Sequence, residues 1–355
     1  MAVEPAGQDL RAAIERALAA AEWTRFVPQG RDVSLKVNLG WDLFVPGSIT
    51  APFFVEALIE AIRGHVGRIF VVESDQVLED IEKAFRRSLM HEVCRRTGAT
   101  WVNMEQTEAV VIDAPENVVL KRLRIPRLLR ETTLITVPVM KTHAKTVITG
   151  SLKNQWGCIS KMRHEYHLVL DDAIADLNAV LRPAFAVMDA TIGLEGNGPK
   201  SGRPRVADRV LCSGDLVALD TIQALTMGLD PAPIRHLATS AARGIGTNDP
   251  ARIEVRGLDP KTHAVHFQPA RHNAVSLVEN LLRKSLFKRL FFNTPIFDVC
   301  LWGAKRYYEL WTLGNARRCW QIAFAHPVFG ARWREVWEAR ATRARRGAPG
   351  SMPGL

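Results

Sequence analysis

The chain has 355 residues, of which 47% are hydrophobic and 24% are charged. This composition is typical of globular proteins and excludes a disordered chain, and the length predicts more than one domain or a large domain with an appendage. Much of the formal net charge of +10 lies near the arginine-rich C-terminus, which contains no groove-reading or stacking motif and so does not indicate nucleic-acid binding.

The five cysteines are scattered and include no CxxC pair. Their spacing argues against an iron–sulfur cluster, a zinc ribbon or a disulfide framework, and it indicates a reducing compartment. Residues 1–31 contain a predicted amphipathic helix without the basic flank and apolar run of a secretory signal. No apolar stretch has the length of a bilayer crossing. The sequence therefore predicts a cytoplasmic protein.

Residues 32–104 alternate between strand and helix patterns. The predicted strands are "DVSLKVNL" (32–39), "RIFVVES" (68–74) and "TWVNM" (100–104). Predicted helices separate them over 50–67, where Thr50 can cap the first turn, and over 76–99. This alternation predicts an α/β fold with a largely parallel sheet and helices on both of its faces.

The α/β pattern continues to about residue 240. Further predicted strands are "AVVID" (109–113), "TTLITVPVM" (132–140), "AFAVMDA" (184–190) and "DRVLCSGD" (208–215), with helices over 167–182 and 216–229. We therefore expect an N-terminal helix over 1–31, an α/β domain over 32–240, a loop and small β extension over 241–273, a basic aromatic helical appendage over 274–340 that is broken at Pro295, and a tail over 341–355.

Polar residues follow several predicted strands at the point where each strand ends. The first strand carries Lys36 and Asn38, and the 132–140 strand is followed by Lys141 and His143. Ligands of open parallel sheets bind outside the carboxyl ends of the strands, where loops and helix N-termini converge. We therefore expect these side chains to surround one crevice. The lysines could instead be structural ion-pair partners of Glu73, Asp75 and Asp189, which lie at the ends of other predicted strands.

The segment "TGSLKNQWG" (149–157) resembles an anion cradle. Its glycines allow close backbone approach, Thr149, Ser151 and Asn154 supply neutral donors, and Lys153 adds a charge suited to phosphate or carboxylate. The segment lacks the spacing of a P-loop, and no GxGxxG follows the first strand. The usual nucleotide-binding motifs are therefore absent.

Two further segments carry candidate residues. "RHEYH" (163–167) places His164 and His167 three apart, so on a helix both could bind one metal, or they could be a helix cap and a surface histidine. "DATIGLEGNGPKSGRPR" (189–205) is predicted as a loop because of its four glycines. It could also be a lid that brings Glu195 and Asn197 over the crevice.

The motifs "KVNL", "VPVMKTH", "TGSLKNQWG", "DATIGLEGNGP" and "SGDLVALDTIQALTMG" occur in this order over residues 32–230. Together they resemble the bacterial and archaeal domain of unknown function family 362 (DUF362). Many members carry added ferredoxin-like cysteine motifs, which implies cluster-linked chemistry for those members. This chain lacks such cysteines, so the resemblance does not imply an iron–sulfur cluster here.

A fainter similarity concerns the lactate racemase family. Its catalytic histidine, cofactor-bearing lysine and metal-binding histidine follow an order similar to His143, Lys153 and then His164 or His167. This resemblance implies a nickel-pincer cofactor as one option. The double-glycine loop of that family is replaced here by "GSLKN".

The leading prediction is an enzyme that acts on a small anionic substrate, a carboxylate or a phosphate ester. The predicted catalytic residues are Lys141, His143 and Lys153. The predicted substrate-binding residues are Lys36, Asn38, Thr149, Ser151, Asn154 and Asn197. His164 or His167, with Asp189 or Glu195, would bind a divalent metal or orient a histidine.

Two alternatives stay open. The first is a non-catalytic protein that holds a cofactor or assists assembly and docks on a protein partner through its C-terminal helices. The second is a peripheral membrane enzyme with a lipid-linked anionic substrate, in which aromatic and basic residues of 274–340 contact the membrane. Those helices could equally be a cover over the hydrophobic core.

Overall fold

A computed structural model describes residues 1–76, 80–159, 166, 168–270 and 295–345. The candidate metal ligands His164 and His167 lie outside the described residues, as do residues 271–294 of the predicted helical appendage and residues 346–355 of the tail.

The strands bring most of the chain into one mixed sheet. They are β1 (Ala2–Pro5), β2 (Val33–Lys36), β3 (Ile69–Glu73), β4 (Thr100–Asn103), β5 (Ala109–Asp113), β6 (Arg122–Pro126), β7 (Thr133–Thr136), β8 (Val139–His143), β9 (Val147–Ile148), β10 (Phe185–Asn197), β11 (Ser201–Ser213) and β12 (Arg256–Gly257). The sheet order is β12-β1-β11-β10-β7-β2-β3-β4, with β8 beside β10 and β9 beside β8, whereas β5 and β6 pair separately.

The centre of the sheet is parallel, as the sequence predicts. Strands β10, β7, β2, β3 and β4 pair in parallel, and β8 is parallel to β10. On the other side of β10, β11 pairs antiparallel with β10, and β1 pairs antiparallel with β11. The predicted α/β fold is therefore confirmed, and residues 2–5 add a strand between β11 and β12, before the first helix.

Helices cover both faces of the sheet. They are α1 (Leu10–Ala20), α2 (Pro52–Ile62), α3 (Ile81–Arg87), α4 (Met90–Thr97), α5 (Leu128–Glu131), α6 (Gly150–Asn154), α7 (Leu170–Leu181), α8 (Leu216–Thr226), α9 (Arg235–Ala242), α10 (Pro295–Phe324) and α11 (Gly330–Arg345). Leu134 packs in the core beneath α5 to α9, and the next residue, Ile135, packs in the core beneath α1 to α4, α10 and α11. This alternation is what a strand covered on both faces requires.

Two predicted elements are divided in the structure. The predicted helix over 76–99 breaks at Leu89, whose φ is 66°, into α3 and α4. The predicted strand over 132–140 breaks between Thr136 and Val139 into β7 and β8, where Pro138 has no N–H to donate to a sheet ladder. Both parts pair in parallel with β10, and β7 also pairs with β2.

The predicted cap of α2 is also wrong. Ala51 is the N-cap residue, and its N–H donates to the carboxylate of Asp189 at 2.8 Å. Thr50 instead donates its hydroxyl to the carbonyl of Val137 at 2.8 Å. The carboxylate of Asp189, which is distant in sequence, therefore accepts from the N-terminus of α2 in place of the expected hydroxyl of Thr50.

The predicted loop over 189–205 is a β-hairpin. Residues 189–197 continue β10, residues 201–205 begin β11, and the two strands pair antiparallel. The glycines permit close packing rather than loop mobility. A Cβ at Gly193 would lie 2.6 Å from the carbonyl oxygen of Met140, and one at Gly198 would overlap the carbonyl of Thr142. The hairpin therefore packs directly on β8.

The second half of α10 and the helix α11 belong to the core on the α2 face. Trp320 and Trp333 are each 1% exposed, and the ring of Phe53 on α2 stacks on Phe329 with centroids 5.5 Å apart. Among the described helices, none is long and apolar enough to cross a bilayer.

Candidate functional site

Buried polar side chains gather at the carboxyl ends of β2 and β3 and along β8. They form the lysine cluster, defined here as Lys36, Asn38, Glu73, Lys141 and Asn154. All except Asn38, which is half-buried, are at most 3% exposed. Burying polar or charged groups is unfavourable unless they are paired, so the partners of each group indicate its role.

Lys36 and Glu73 form a buried ion pair. Both carboxylate oxygens of Glu73 lie 2.9 Å from the Lys36 Nζ, which also donates to the carbonyl of Val37 at 2.8 Å. The backbone of Gly157 lies against this pair, because a Cβ there would be 2.5 Å from Glu73 Oε1. Lys36 is therefore bound within the protein, as the ion-pair alternative for the lysines predicts.

Two asparagines link the elements around the cluster. The Oδ1 of Asn38 accepts from the Lys141 Nζ at 2.8 Å, and its Nδ2 donates to the Oδ1 of Asn154 at 3.0 Å. The Nδ2 of Asn154 donates to the carbonyl of Lys36 at 2.8 Å and to the hydroxyl of Thr136 at 3.0 Å. The loop after β2, the strand β8 and the helix α6 therefore meet in one hydrogen-bond network.

Lys141 is a buried amine held by neutral acceptors. Its Nζ donates to the Oδ1 of Asn38 at 2.8 Å and to the carbonyl of Ser48 at 2.9 Å. Burial, together with the positive charges of Lys153 and Lys36 and against the opposing effect of Glu73, lowers the pKa of Lys141 from 10.5 to about 7. Near neutral pH the amine is therefore present in both protonation states.

We expect this pKa to make stability depend on pH. The unfolded chain keeps the Lys141 proton up to about pH 10.5, whereas the folded chain releases it above about 7. Between these values the unfolded state binds more protons, so the free energy of unfolding should rise with pH. Urea unfolding at several pH values in this window should show a shallower rise for Lys141→Met, whereas exposed Lys121→Met should match the wild type. Equal slopes for Lys141→Met and the wild type would contradict the lowered pKa.

His143 and Lys153 flank Lys141. His143 lies two residues after Lys141 on β8, so the two side chains share a face of the strand. Its Nδ1 accepts from the N–H of Lys145 at 3.0 Å, which places the proton of the neutral ring on Nε2. Lys153 is half-buried in α6, and its charge acts on Lys141.

The N-terminus of α6 is occupied by a carboxylate of the protein itself. Asp220 accepts from the N–H of Ser151 at 2.6 Å, from its hydroxyl at 2.7 Å and from the N–H of Leu152 at 2.9 Å. Burial raises the pKa of Asp220 to about 7. The donors of Ser151 predicted for a substrate are thus engaged internally, while the hydroxyl of Thr149 has no hydrogen-bond partner among the described residues.

The predicted metal-binding acids Asp189 and Glu195 have different hydrogen-bond partners within the protein. Asp189 accepts from Ala51 and Thr191, and burial raises its pKa to about 6. Glu195 accepts from the N–H of Gln268 at 3.0 Å. The described residues contain no group of three His, Cys, Asp or Glu side chains that could hold a metal, and the metal site stays a prediction.

Asn197 ends β10 beside the hairpin turn, where its carbonyl accepts from the hydroxyl of Ser201 at 3.0 Å. It pairs with Ser201 across the hairpin, whereas the lysine cluster lies at the ends of β2 and β3 and along β8. The substrate-binding role of Asn197 stays a prediction.

His236 is a candidate that the sequence does not reveal. It is fully buried on α9, and neither ring nitrogen has a hydrogen-bond partner among the described residues. The nearest acid is Asp171, whose Oδ1 lies 3.9 Å from the Nδ1. Burial lowers its pKa to about 3, and Lys153 contributes. A single histidine in a helical pattern gives no signal, because only the packing of α7 and α9 brings these groups together.

The family model described as "Domain of unknown function (DUF362)" matches residues 33–224, a range that contains the whole lysine cluster. The chain is 29% identical over 170 residues to a thylakoid-associated protein of Synechocystis sp.. That alignment covers 46% of this chain and 49% of the relative, so the chain spans about half the length of the curated relative it matches. No solved structure matches the chain.

Proposed function

Because the chain belongs to the DUF362 family, whose description names no activity, we propose its function from the residues of the lysine cluster. The protein is an enzyme that moves protons on a small anionic substrate, a carboxylate or a phosphate ester. The observation that carries this proposal is Lys141, a fully buried amine with neutral hydrogen-bond partners and a pKa of about 7.

A pKa close to the working pH suits a group that both takes and gives a proton. Lys141 would supply that amine, and His143, on the same face of β8, would be the second acid or base. Desolvated lysines with lowered pKa values serve as general bases and amine nucleophiles. The hydrogen bonds from Lys141 to Asn38 and Ser48 would hold the amine in a fixed position.

The charge balance around Lys141 favours an anionic substrate. Glu73 neutralises Lys36 within their ion pair, while the charges of Lys36 and Lys153 both lower the pKa of Lys141. A bound carboxylate or phosphate would relieve this repulsion and raise the pKa of Lys141. Lys153 would contact the anion, since a compact ammonium suits a phosphate or carboxylate oxygen.

Calorimetric titration tests this proposal with inorganic phosphate, glycerol phosphate, lactate and citrate as probes, and with glycerol as the uncharged control. We expect at least one anion to bind the wild type and Lys153→Ala to weaken that binding about tenfold or more, because a charge-assisted contact is lost. Binding should also weaken as the pH rises through 7, where Lys141 loses its charge.

Lys121→Ala is the matched control, because Lys121 is exposed and lies outside the lysine cluster. It should bind as the wild type does. The proposal fails if no anion binds, or if Lys153→Ala and Lys141→Met both retain the affinity of the wild type. Elemental analysis of the purified protein tests the predicted divalent metal and nickel-pincer cofactor separately. A tightly retained cofactor without turnover would instead identify a carrier.

We also propose that the protein associates with a membrane surface. Support comes from the name of the relative from Synechocystis sp., which is thylakoid-associated, and from the large apolar side chains that α10 exposes. An anionic substrate linked to a lipid would fit both parts of the proposal.

A further inference from the structure

The outer side of α10 carries a row of large apolar and basic side chains. The α10 row consists of Trp302, Arg306, Leu310, Leu313 and Arg317, whose spacing of three or four residues places them on one face of the helix. All five are exposed, with Trp302 at 61%, Leu310 at 69% and Leu313 at 50%. A contiguous exposed apolar surface of this kind usually marks an interaction site.

The adjacent side of α10 holds the helix on the protein. Thr312, Ala316, Trp320 and Ala323 are buried, each at most 2% exposed, and Trp320 packs against Phe44 with ring centroids 5.9 Å apart. The row is therefore not required to fix the helix.

The charge of the row indicates what covers it. The row contains no acidic residue, and Arg317 forms no ion pair within the described part of the chain. Arg306 pairs with the neighbouring Glu309, and its guanidinium carbon lies 5.7 Å from the ring of Trp302. Two copies of the chain would bring the same arginines together, so a second copy is disfavoured.

We propose that the α10 row docks on the surface of an anionic phospholipid membrane. Tryptophan and leucine would enter the boundary between headgroups and acyl chains, and the arginines would contact phosphate groups, as in other interfacial helices. The net charge of +10 adds a long-range attraction to such a surface. This inference rests on the proposed membrane association and assigns it to one helix face and one lipid class.

The row is close in the structure to the cover of the lysine cluster. Tyr308, on the inner side of α10, packs against Trp41 with ring centroids 6.1 Å apart. Trp41 belongs to the buried segment 41–50, whose Ser48 carbonyl accepts from Lys141. Docking through the row would therefore bring the membrane to the helix that packs on segment 41–50, which is bonded to Lys141.

Vesicle flotation of the full chain tests the proposal. The probes are phosphatidylcholine vesicles with and without phosphatidylglycerol. We expect the wild type to float with the anionic vesicles and much less with the neutral ones. Leu310→Gln with Leu313→Gln should reduce flotation about tenfold or more, and Arg306→Glu with Arg317→Glu should reduce it similarly, since each basic residue near the surface contributes about 1 kcal/mol.

Matched controls are Val118→Gln and Arg252→Glu, exposed residues outside α10 that should leave flotation unchanged. Circular dichroism verifies that each variant is folded. If the wild type floats and both row variants float equally well, the row is not the docking face, although membrane association stands. If the wild type does not float with anionic vesicles, both the proposed membrane association and the docking through the α10 row fail. Light scattering that shows a dimer dissociated by the leucine variant would identify a protein contact and overturn the proposal.

Discussion

Lys36→Met should lower the free energy of unfolding by about 3–5 kcal/mol, the range for removal of one partner from a buried ion pair. The variant leaves the carboxylate of Glu73 buried at 2% exposure without its cation. Among the described residues, the N–H groups of Ser74 and Leu39, at 3.0 and 3.3 Å, and the more distant charge of Lys141 would still stabilise that carboxylate. Chemical unfolding at neutral pH measures the change.

The double variant Lys36→Met with Glu73→Gln distinguishes the effect of the unpaired charge on stability from the effect of altered packing. Removing the second charge should recover more than half of the lost stability, because the remaining penalty comes from the uncompensated carboxylate. The exposed pair Arg127 and Glu108 provides the control, and Arg127→Met should cause no measurable change. A double variant as unstable as the sum of the two single variants would refute the coupling.

Gly150→Ala is expected to be the most damaging single methyl addition near the site. The backbone φ of Gly150 is +60°, and a Cβ there would overlap the carboxylate of Asp220. The substitution combines a left-handed conformation, about 1–2 kcal/mol, with disruption of the charge-assisted bonds from Ser151 and Leu152, about 1.5–3 kcal/mol. We expect a loss of about 3 kcal/mol or more in thermal or chemical unfolding.

Gly30→Ala is the matched control for this prediction. Gly30 also has a positive φ, +74°, but a Cβ there meets nothing within 4 Å. It should therefore cost only the conformational part, about 1–2 kcal/mol. If the two variants lose equal amounts of stability, the contact between the added Cβ at position 150 and the carboxylate of Asp220 has no cost, and the prediction is wrong.

The sequence predicts the part of the site that depends on strand ends. Lys36, Asn38 and Lys141 meet because neighbouring parallel strands end at one edge of the sheet, and that rule needs only the strand pattern. The structure joins Lys141 to Asn38 and Asn38 to Asn154 by hydrogen bonds. The sequence could not decide between substrate contact and internal pairing for Lys36, because that choice depends on distances to Glu73.

Features that depend on packing between distant elements could not be predicted. Asp220 lies within the apolar pattern of α8, and only the packing of α8 against α6 brings it to Ser151. The glycines between 189 and 205 are typical of loops in sequence, yet here they allow a hairpin to lie against β8. The strand β1 is short, and its partners β11 and β12 lie far along the chain.

The position of β1 has a consequence for how the chain is made. Val3 pairs with Leu211 on one side and with Gly257 on the other. During translation, β1 therefore has no partner strand until β11 and β12, the last two strands of the sheet, have been synthesised. Until these strands pair, the long edge of β11 is open to pairing with other nascent chains, and such unpaired edges favour aggregation. Conditions that slow synthesis or delay chaperone release should therefore affect the yield of this protein more than its final stability.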